Sequence, residues 1–367
     1  MAGTLVRLAS NQTGFTFKMI NLLLVDDSGF MRLILADMLE ADAQIKVVAT
    51  AENGKEAFDK VQSCRPDVVL LDLVMKDYDG LYAVREIMAH CPTPIVILSS
   101  LGNTHFNSVF EALEAGAYDF LNKPNSEHSA RIRDLQPQLA AKIKQAAAVD
   151  RNRLVHRKAT VNHHPHTFDS QLGFDILVIG ASTGGTGAIE EILNKLPGNF
   201  PIPVVIAQHM PAGFIPLFAR RLDQMLPLNV KVAEPGERLK KGTVYIAAGE
   251  YNTLIKAEGA ARSGAINGRI ASTEQLFAEF NHPSVDCLMG SVAEVYGSRA
   301  LAVILTGMGK DGARSMELLH RQKALTLAQD ESTSVVFGMP RAAIERNAVR
   351  NVLPIQEIPG FIVSCLS

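Results

Sequence analysis

Short runs of aliphatic residues, each breaking off at a polar or charged residue, alternate with stretches of helical periodicity along most of the chain, and this alternation constrains the fold most. Ile20–Val25, Val68–Leu71, Ile95–Leu98, Val204–Ala207, Ala300–Leu305 and Leu325–Ala328 are near-continuous apolar runs. A strand that is apolar on both faces must be covered on both faces, which points to parallel sheets packed between helices. Between the runs, apolar residues such as Met31, Ile34, Leu35, Met38 and Leu39 recur at helical spacing. The expected fold class is α/β, with two doubly wound parallel-sheet domains.

In the first half, strands are expected at Ile20–Val25, Lys46–Ala49, Val68–Leu71, Ile95–Leu98 and Asp119–Leu121. Helices are expected near Met31–Leu39, Lys55–Val61, Tyr82–Ala89 and Asn107–Ala115, with a last one carrying Ile132, Leu135, Leu139 and Ile143. The second half repeats the pattern with strands at Asp175–Ile179, Val204–Ala207, Thr243–Ala247, Ala300–Leu305 and Leu325–Ala328. Its helices are expected at Gly187–Leu193, Phe214–Asp223, Val285–Tyr296, Asp311–Arg321 and Ile344–Ala348, with antiparallel decoration between Tyr251 and Ile270. At 367 residues the chain is long enough for two cores. The domains are placed at 20–145 and 172–358, joined by a linker at 146–171. His163, His164 and His166 surround Pro165 in that linker; a metal site is conceivable there, but nothing fixes a coordination geometry, and a polar hinge is the reading taken. Residues 1–18 read as an extension, either dispensable or a strand that pairs elsewhere.

A formal net charge of -2 argues against nucleic-acid binding as the main business of the protein. Disorder is excluded by a charged fraction of only 20% against 47% hydrophobic residues. The four cysteines show no C-x-x-C pairing and read as scattered thiols of a reducing compartment. No apolar run approaches the ~20 residues needed to span a bilayer. A cytoplasmic monomer without membrane insertion is expected.

Chemistry-bearing residues gather where strands end. Asp26 and Asp27 follow the first strand, Asp72 the third, Ser99 the fourth and Lys123 the fifth. In an open parallel sheet these ends share one rim, where such folds place their sites. Clustered carboxylates need a divalent cation, and hard oxygen donors suit Mg²⁺, held by Asp26, Asp27 and Asp72. Asp72 is then a carboxylate able to accept a phosphoryl group, with Lys123 and Ser99 neutralising and hydrogen-bonding its oxygens. The segments Leu22-Leu23-Leu24-Val25-Asp26-Asp27-Ser28, Asp72, Asp79-Gly80, Ser99 and Lys123-Pro124 resemble the receiver domain of two-component response regulators. That resemblance implies phosphorylation of Asp72 by a histidine kinase, Mg²⁺ at the three acids and a cis bond at Lys123-Pro124. Lys76 stands where that family usually has Pro, and Phe120 stands at its aromatic switch position.

The second half carries Gly180-Ala181-Ser182-Thr183-Gly184-Gly185 after its first strand. The spacing does not match a dinucleotide fingerprint, since Ser182 takes the second glycine's place, and it lacks the lysine of a phosphate loop. A serine on a tight strand-to-helix turn suits an exposed nucleophile instead. Such a serine needs a base and an orienter; His209 follows the next strand and Asp311 a later one, while N–H groups near Thr183 and Met308 are candidate oxyanion donors. These segments, with Gln208-His209-Met210-Pro211, Pro283-Ser284-Val285-Asp286, Leu305 to Gly312 and Phe337-Gly338-Met339-Pro340, are similar to the chemotaxis methylesterase domain. The resemblance to this family of receiver-linked methylesterases covers nearly the whole chain. It implies a Ser182–His209–Asp311 triad, an oxyanion site flanked by Thr183 and Met308, and no cofactor for hydrolysis. It also implies methyl-accepting chemoreceptors as substrates, for glutamyl ester hydrolysis and glutamine deamidation. Before phosphorylation, the receiver is expected to cover the catalytic rim. Gly249-Glu250-Tyr251-Asn252 and Asn281-His282 depart from the family pattern in loops expected to touch substrate. A gated binding module with an inactive triad, and a hydrolase of some other ester or amide, are the alternative readings.

Overall fold

A computed structural model describes residues 18–100, 106–123, 132–149, 173–260, 266–275 and 282–366. The extension at 1–17, the histidine cluster at 163–166 with most of the linker, Pro124 with its expected cis bond, and Asn281 lie outside the described residues. The chain divides into two compact units, Met1–Arg157 and Lys158–Ser367.

The first unit is built on strands β1 (Ile20–Val25), β2 (Ile45–Ala51), β3 (Val68–Leu71), β4 (Ile95–Ser100) and β5 (Asp119–Lys123), all parallel in the order β2-β1-β3-β4-β5. This is the flavodoxin-like order, whose direction of winding reverses between β1 and β3. Helices α1 (Gly29–Glu40), α2 (Gly54–Cys64), α3 (Gly80–His90), α4 (Phe106–Glu114) and α5 (Gln136–Ala147) connect and cover the strands. Three helices start at side-chain caps: Met31 N–H donates to Ser28, Glu56 N–H to Asn53 and Tyr82 N–H to Asp79. Each cap satisfies an amide that the helix cannot.

The second unit holds strands β6 (Ile176–Ala181), β7 (Val204–Gln208), β8 (Asn229–Val232), β9 (Thr243–Ile246), β12 (Ala300–Ile304), β13 (Leu325–Gln329) and β14 (Asn351–Leu353) in one parallel sheet. Their order is β14-β13-β12-β6-β7-β9-β8, so winding reverses between β6 and β12. Strands β10 (Asn252–Ala260) and β11 (Ile266–Thr273) form the expected antiparallel decoration as a separate hairpin. Helices α6 (Gly185–Leu193), α7 (Ile215–Met225), α8 (Val285–Tyr296), α9 (Ala313–Arg321), α10 (Met339–Glu345) and α11 (Ile358–Ser364) complete it. Val178, Val205, Ala302 and Ile304 of the sheet pack with Leu288, Met289 and Val292 of α8 and Met316 of α9 in one sealed core.

Three differences from the sequence reading have physical causes. The helix expected at Ile344–Ala348 is α10 and begins earlier, because Pro340 sits in its first turn, where proline's fixed φ and missing N–H are harmless. The helix expected from Asp311 begins at Ala313, since Gly312 adopts a left-handed φ of 89° and leaves Asp311 in the preceding turn. Strands β8 and β14 escaped notice because they are short and lie at the two edges of the sheet, so their residues are only partly apolar.

Leu301 is fully buried in β12, between β6 and β13, whereas Leu33 on α1 is 72% exposed. Leu301→Ala should destabilise the second unit by about 2–5 kcal/mol, and Leu33→Ala should stay within about 0.5 kcal/mol of the parent. Pulse proteolysis in graded urea measures both; equal effects would contradict this placement of the core.

Candidate active site

Strand register places Ser182 and His209 at neighbouring strand ends. Ala181 pairs with Gln208 across β6 and β7, so Ser182 and His209 each lie one residue past a matched pair of strand ends. Neighbouring strands run roughly 4.8 Å apart. His209 N–H donates to Ala181 O at 3.0 Å and Ser182 N–H to Thr306 O at 3.0 Å, tying the turns after β6, β7 and β12 into one rim. Asp311 arrives from the β12 side, and its Oδ2 lies 2.7 Å from His209 Nε2. Ser182 is half-buried and Asp311 is sealed from solvent.

The setting of Asp311 explains why a carboxylate is tolerated there. Val285 N–H donates to it at 2.7 Å and Asp286 N–H at 2.9 Å, both from the first turn of α8, and Ser284 Oγ donates at 3.2 Å. The first amides of a helix lack intrahelical partners and carry the positive end of its dipole. Ser284 also caps α8, accepting from Cys287 N–H, and its own N–H donates to Asn252 Oδ1 at 2.6 Å. Sequence reading gave Ser284 and Asn252 no role, although a serine just before the apolar run from Val285 is a helix-start signal. Burial alone would raise the Asp311 carboxyl, but the His209 imidazole and the Asp286 and Val285 amides outweigh it and hold the carboxyl below its ordinary value. Its neighbour Asp286 moves the other way, raised chiefly by burial.

Glycines shape the space around Ser182. Gly184 has a left-handed φ of 76°, and a Cβ there would fall 2.6 Å from Val335 Cβ. A Cβ on Gly307 would meet Ser182 Cβ at 2.7 Å, so main chain alone can pass the serine on that side. Gly307 N–H is committed to Val336 O, while Met308, 45% exposed, shows no hydrogen bond from its N–H among the described residues. Thr183 is buried, and its carbonyl accepts from Thr306 Oγ1 at 3.0 Å. Both expected oxyanion positions therefore lie on turns beside Ser182.

In the first unit, Val25 pairs with Leu71, so Asp26 and Asp72 stand one residue beyond adjacent strand ends at the winding reversal. Lys123 Nζ donates to both carboxylates, and Ser99 Oγ donates to Asp72 Oδ1 at 2.9 Å. All four side chains are buried. Burial makes the Asp26 carboxyl harder to ionise than in water. Burial also works against the Lys123 ammonium, but the charges of Asp72 and Asp26 prevail and hold it above its ordinary value. Asp27, the next residue after Asp26, is exposed. Among the described residues no three acids, histidines or cysteines close into a metal centre. The donor chemistry nevertheless suits a hard cation, since two converging carboxylates share one ammonium and carry a residual negative charge. Lys76 is exposed and Phe120 buried at the end of the same sheet.

Family models match both units: "CheB methylesterase" over residues 177–362 and "Response regulator receiver domain" over residues 22–133. A protein-glutamate methylesterase/protein-glutamine glutaminase of Thermotoga maritima is 40% identical over 350 residues, covering 95% of this chain and 99% of its own. One from Pyrococcus abyssi is 38% identical over 353 residues, covering 95% and 94%. The solved catalytic domain of a Thermotoga maritima CheB methylesterase is 40% identical, covers 53% of this chain and 99% of its own, and superposes with a TM-score of 0.48.

A carboxyl held below its ordinary value stabilises the fold above the ordinary aspartate pKa, and that contribution disappears as pH falls through the lowered value. Asp311→Asn should therefore flatten the acid limb of the stability profile below about pH 5. Unfolding measured at stepped pH checks this; an unaltered acid limb would contradict the described environment of Asp311.

Proposed function

The chain belongs to the CheB methylesterase family, with a response regulator receiver domain ahead of the catalytic one, and from that premise we propose that it hydrolyses glutamyl methyl esters of chemoreceptors through Ser182, His209 and Asp311. Glutamine deamidation at the same receptors follows from the same chemistry. The observation that carries the reading is the 2.7 Å contact between His209 and the helix-anchored Asp311, one strand end from Ser182.

Ser182 Oγ attacks the side-chain ester carbonyl while His209 takes its proton. With Nε2 engaged by Asp311, Nδ1 is the nitrogen that receives it. Asp311 fixes the ring and stabilises the imidazolium. Developing negative charge on the carbonyl oxygen is met by N–H groups at Thr183 and Met308; one such donor is typically worth about 3 kcal/mol in the transition state. The imidazolium returns its proton to the leaving group, the methoxide oxygen of an ester or the amide nitrogen of a glutamine, which departs as methanol or ammonia. A water activated by His209 then releases the glutamate carboxylate.

In the receiver, Asp72 accepts a phosphoryl group from a histidine kinase and hydrolysis rises in response. Lys123 and Ser99, already on the Asp72 carboxylate, are placed to bond the new phosphoryl oxygens. Asp26, Asp27 and Asp72 would hold Mg²⁺, which when bound supplies charge neutralisation of the phosphoryl oxygens. A cytoplasmic site of action accords with a receptor substrate and a kinase donor; among the described residues no helix is long and apolar enough to cross a membrane.

Ser182→Ala should abolish methanol release from methylated receptor membranes and leave phosphorylation of Asp72 by a small phosphodonor intact. Asp72→Asn should retain basal release but lose its stimulation by phosphodonor and Mg²⁺. Full turnover in Ser182→Ala would end the assignment.

A further inference from the structure

Gln208, the last residue of β7, directly precedes His209, pairs across the sheet with Ala181, the residue before Ser182, and is 3% exposed. Its Nε2 donates to Ser182 O at 2.9 Å and to His209 O at 3.0 Å. Both partners are carbonyl oxygens, which only accept, so chemistry requires the amide nitrogen to face them. The same Ser182 carbonyl receives Gly185 N–H at 2.7 Å from the first turn of α6. A single side-chain amide thus bridges the main chain of the residue bearing the hydroxyl and that of the residue bearing the imidazole.

Two further features show that the surroundings accommodate this bridge. Gly185 leaves the room it needs: a Cβ there would fall 2.1 Å from Gln208 Oε1 and 2.7 Å from Ala181 Cβ. Gln208 Oε1 is buried without a hydrogen-bond partner among the described residues. Leaving a buried acceptor unpaired is unfavourable, and such groups in native folds call for an explanation. The unpaired oxygen is the unavoidable other end of an amide whose nitrogen must serve two carbonyls.

We infer that Gln208 is a positioning residue for the hydrolysis, fixing the separation and orientation of Ser182 and His209 by bridging their carbonyls. The inference rests on the proposed roles of Ser182 and His209. It is independent of Asp311, which holds the imidazole from the opposite side of β6. Misplacing a reacting group by about 1 Å can lower a rate on the order of a hundredfold.

The test uses the full-length chain and methanol release from methylated receptor membranes, with kcat and KM separated. Gln208→Met, similar in reach but without a donor, should lower kcat on the order of a hundredfold with little change in KM. Gln208→Glu keeps the shape, and only its protonated form can donate to one of the two carbonyls. Its activity relative to the parent at the same pH should therefore rise as pH falls, a trend that simple loss of packing would not produce. Wild-type kcat in Gln208→Met, or a Gln208→Glu ratio that stays flat with pH, would overturn the inference. Ser182→Ala measured alongside separates the two levels. Turnover surviving in that variant removes the reading beneath the inference, whereas an inert Ser182→Ala beside a fully active Gln208→Met removes the inference alone.

Discussion

The catalytic unit depends above all on one buried negative charge. Asp311 is sealed inside the protein, where an unpaired carboxylate would be untenable. It is retained because the first turn of α8 presents two unsatisfied amides and the capping Ser284 adds a hydroxyl. The helix needs an acceptor as much as the carboxylate needs donors, so each satisfies the other. His209 then completes the coordination of an acid whose position is already determined by the fold. The imidazole is oriented by the meeting of a loop after β12 with a helix that starts elsewhere in the chain, held together by hydrogen bonds to a single group.

The two units solve the same architectural problem in the same way. In each parallel sheet the winding reverses once, between β1 and β3 in the first and between β6 and β12 in the second. Loops on either side of a reversal diverge to opposite faces and leave a crevice at the carboxyl edge. Asp26 and Asp72 flank the first crevice, Ser182 and Thr306 the second. The chemistry differs because different residues follow the strands: two acids joined by a lysine in one, a hydroxyl and an imidazole backed by a carboxylate in the other.

How much of this was legible in sequence depended on how far apart the cooperating residues lie. Apolar runs such as Val68–Leu71 and Ala300–Leu305 announced the strands, because burial on both faces leaves no room for polar alternation. Edge strands such as Asn229–Val232, half exposed to solvent, gave no comparable signal. Ser182, His209 and Asp311 were nameable because strand ends in a parallel sheet share a rim. The partners of Asp311 were not: that Ser284, Val285 and Asp286 would turn their donors towards residue 311 follows from the packing of α8, which no local pattern specifies. Asp26 and Asp27 are adjacent in sequence, yet successive residues at a strand end diverge: Asp26 is buried and Asp27 exposed, a difference that adjacency does not announce. Gln208 was visible as part of a motif, but a bridging amide can be read only once two carbonyls are seen to face it.

The bare main chain of Gly307 beside the serine has a consequence for how such a cleft can diverge. With no room for a Cβ on that flank, selection cannot remodel it by exchanging side chains. Any tuning of which ester or amide fits must come from outer positions such as Met308, whose side chain projects into solvent. One wall of the cleft is thereby fixed by the backbone, while its rim stays open to change.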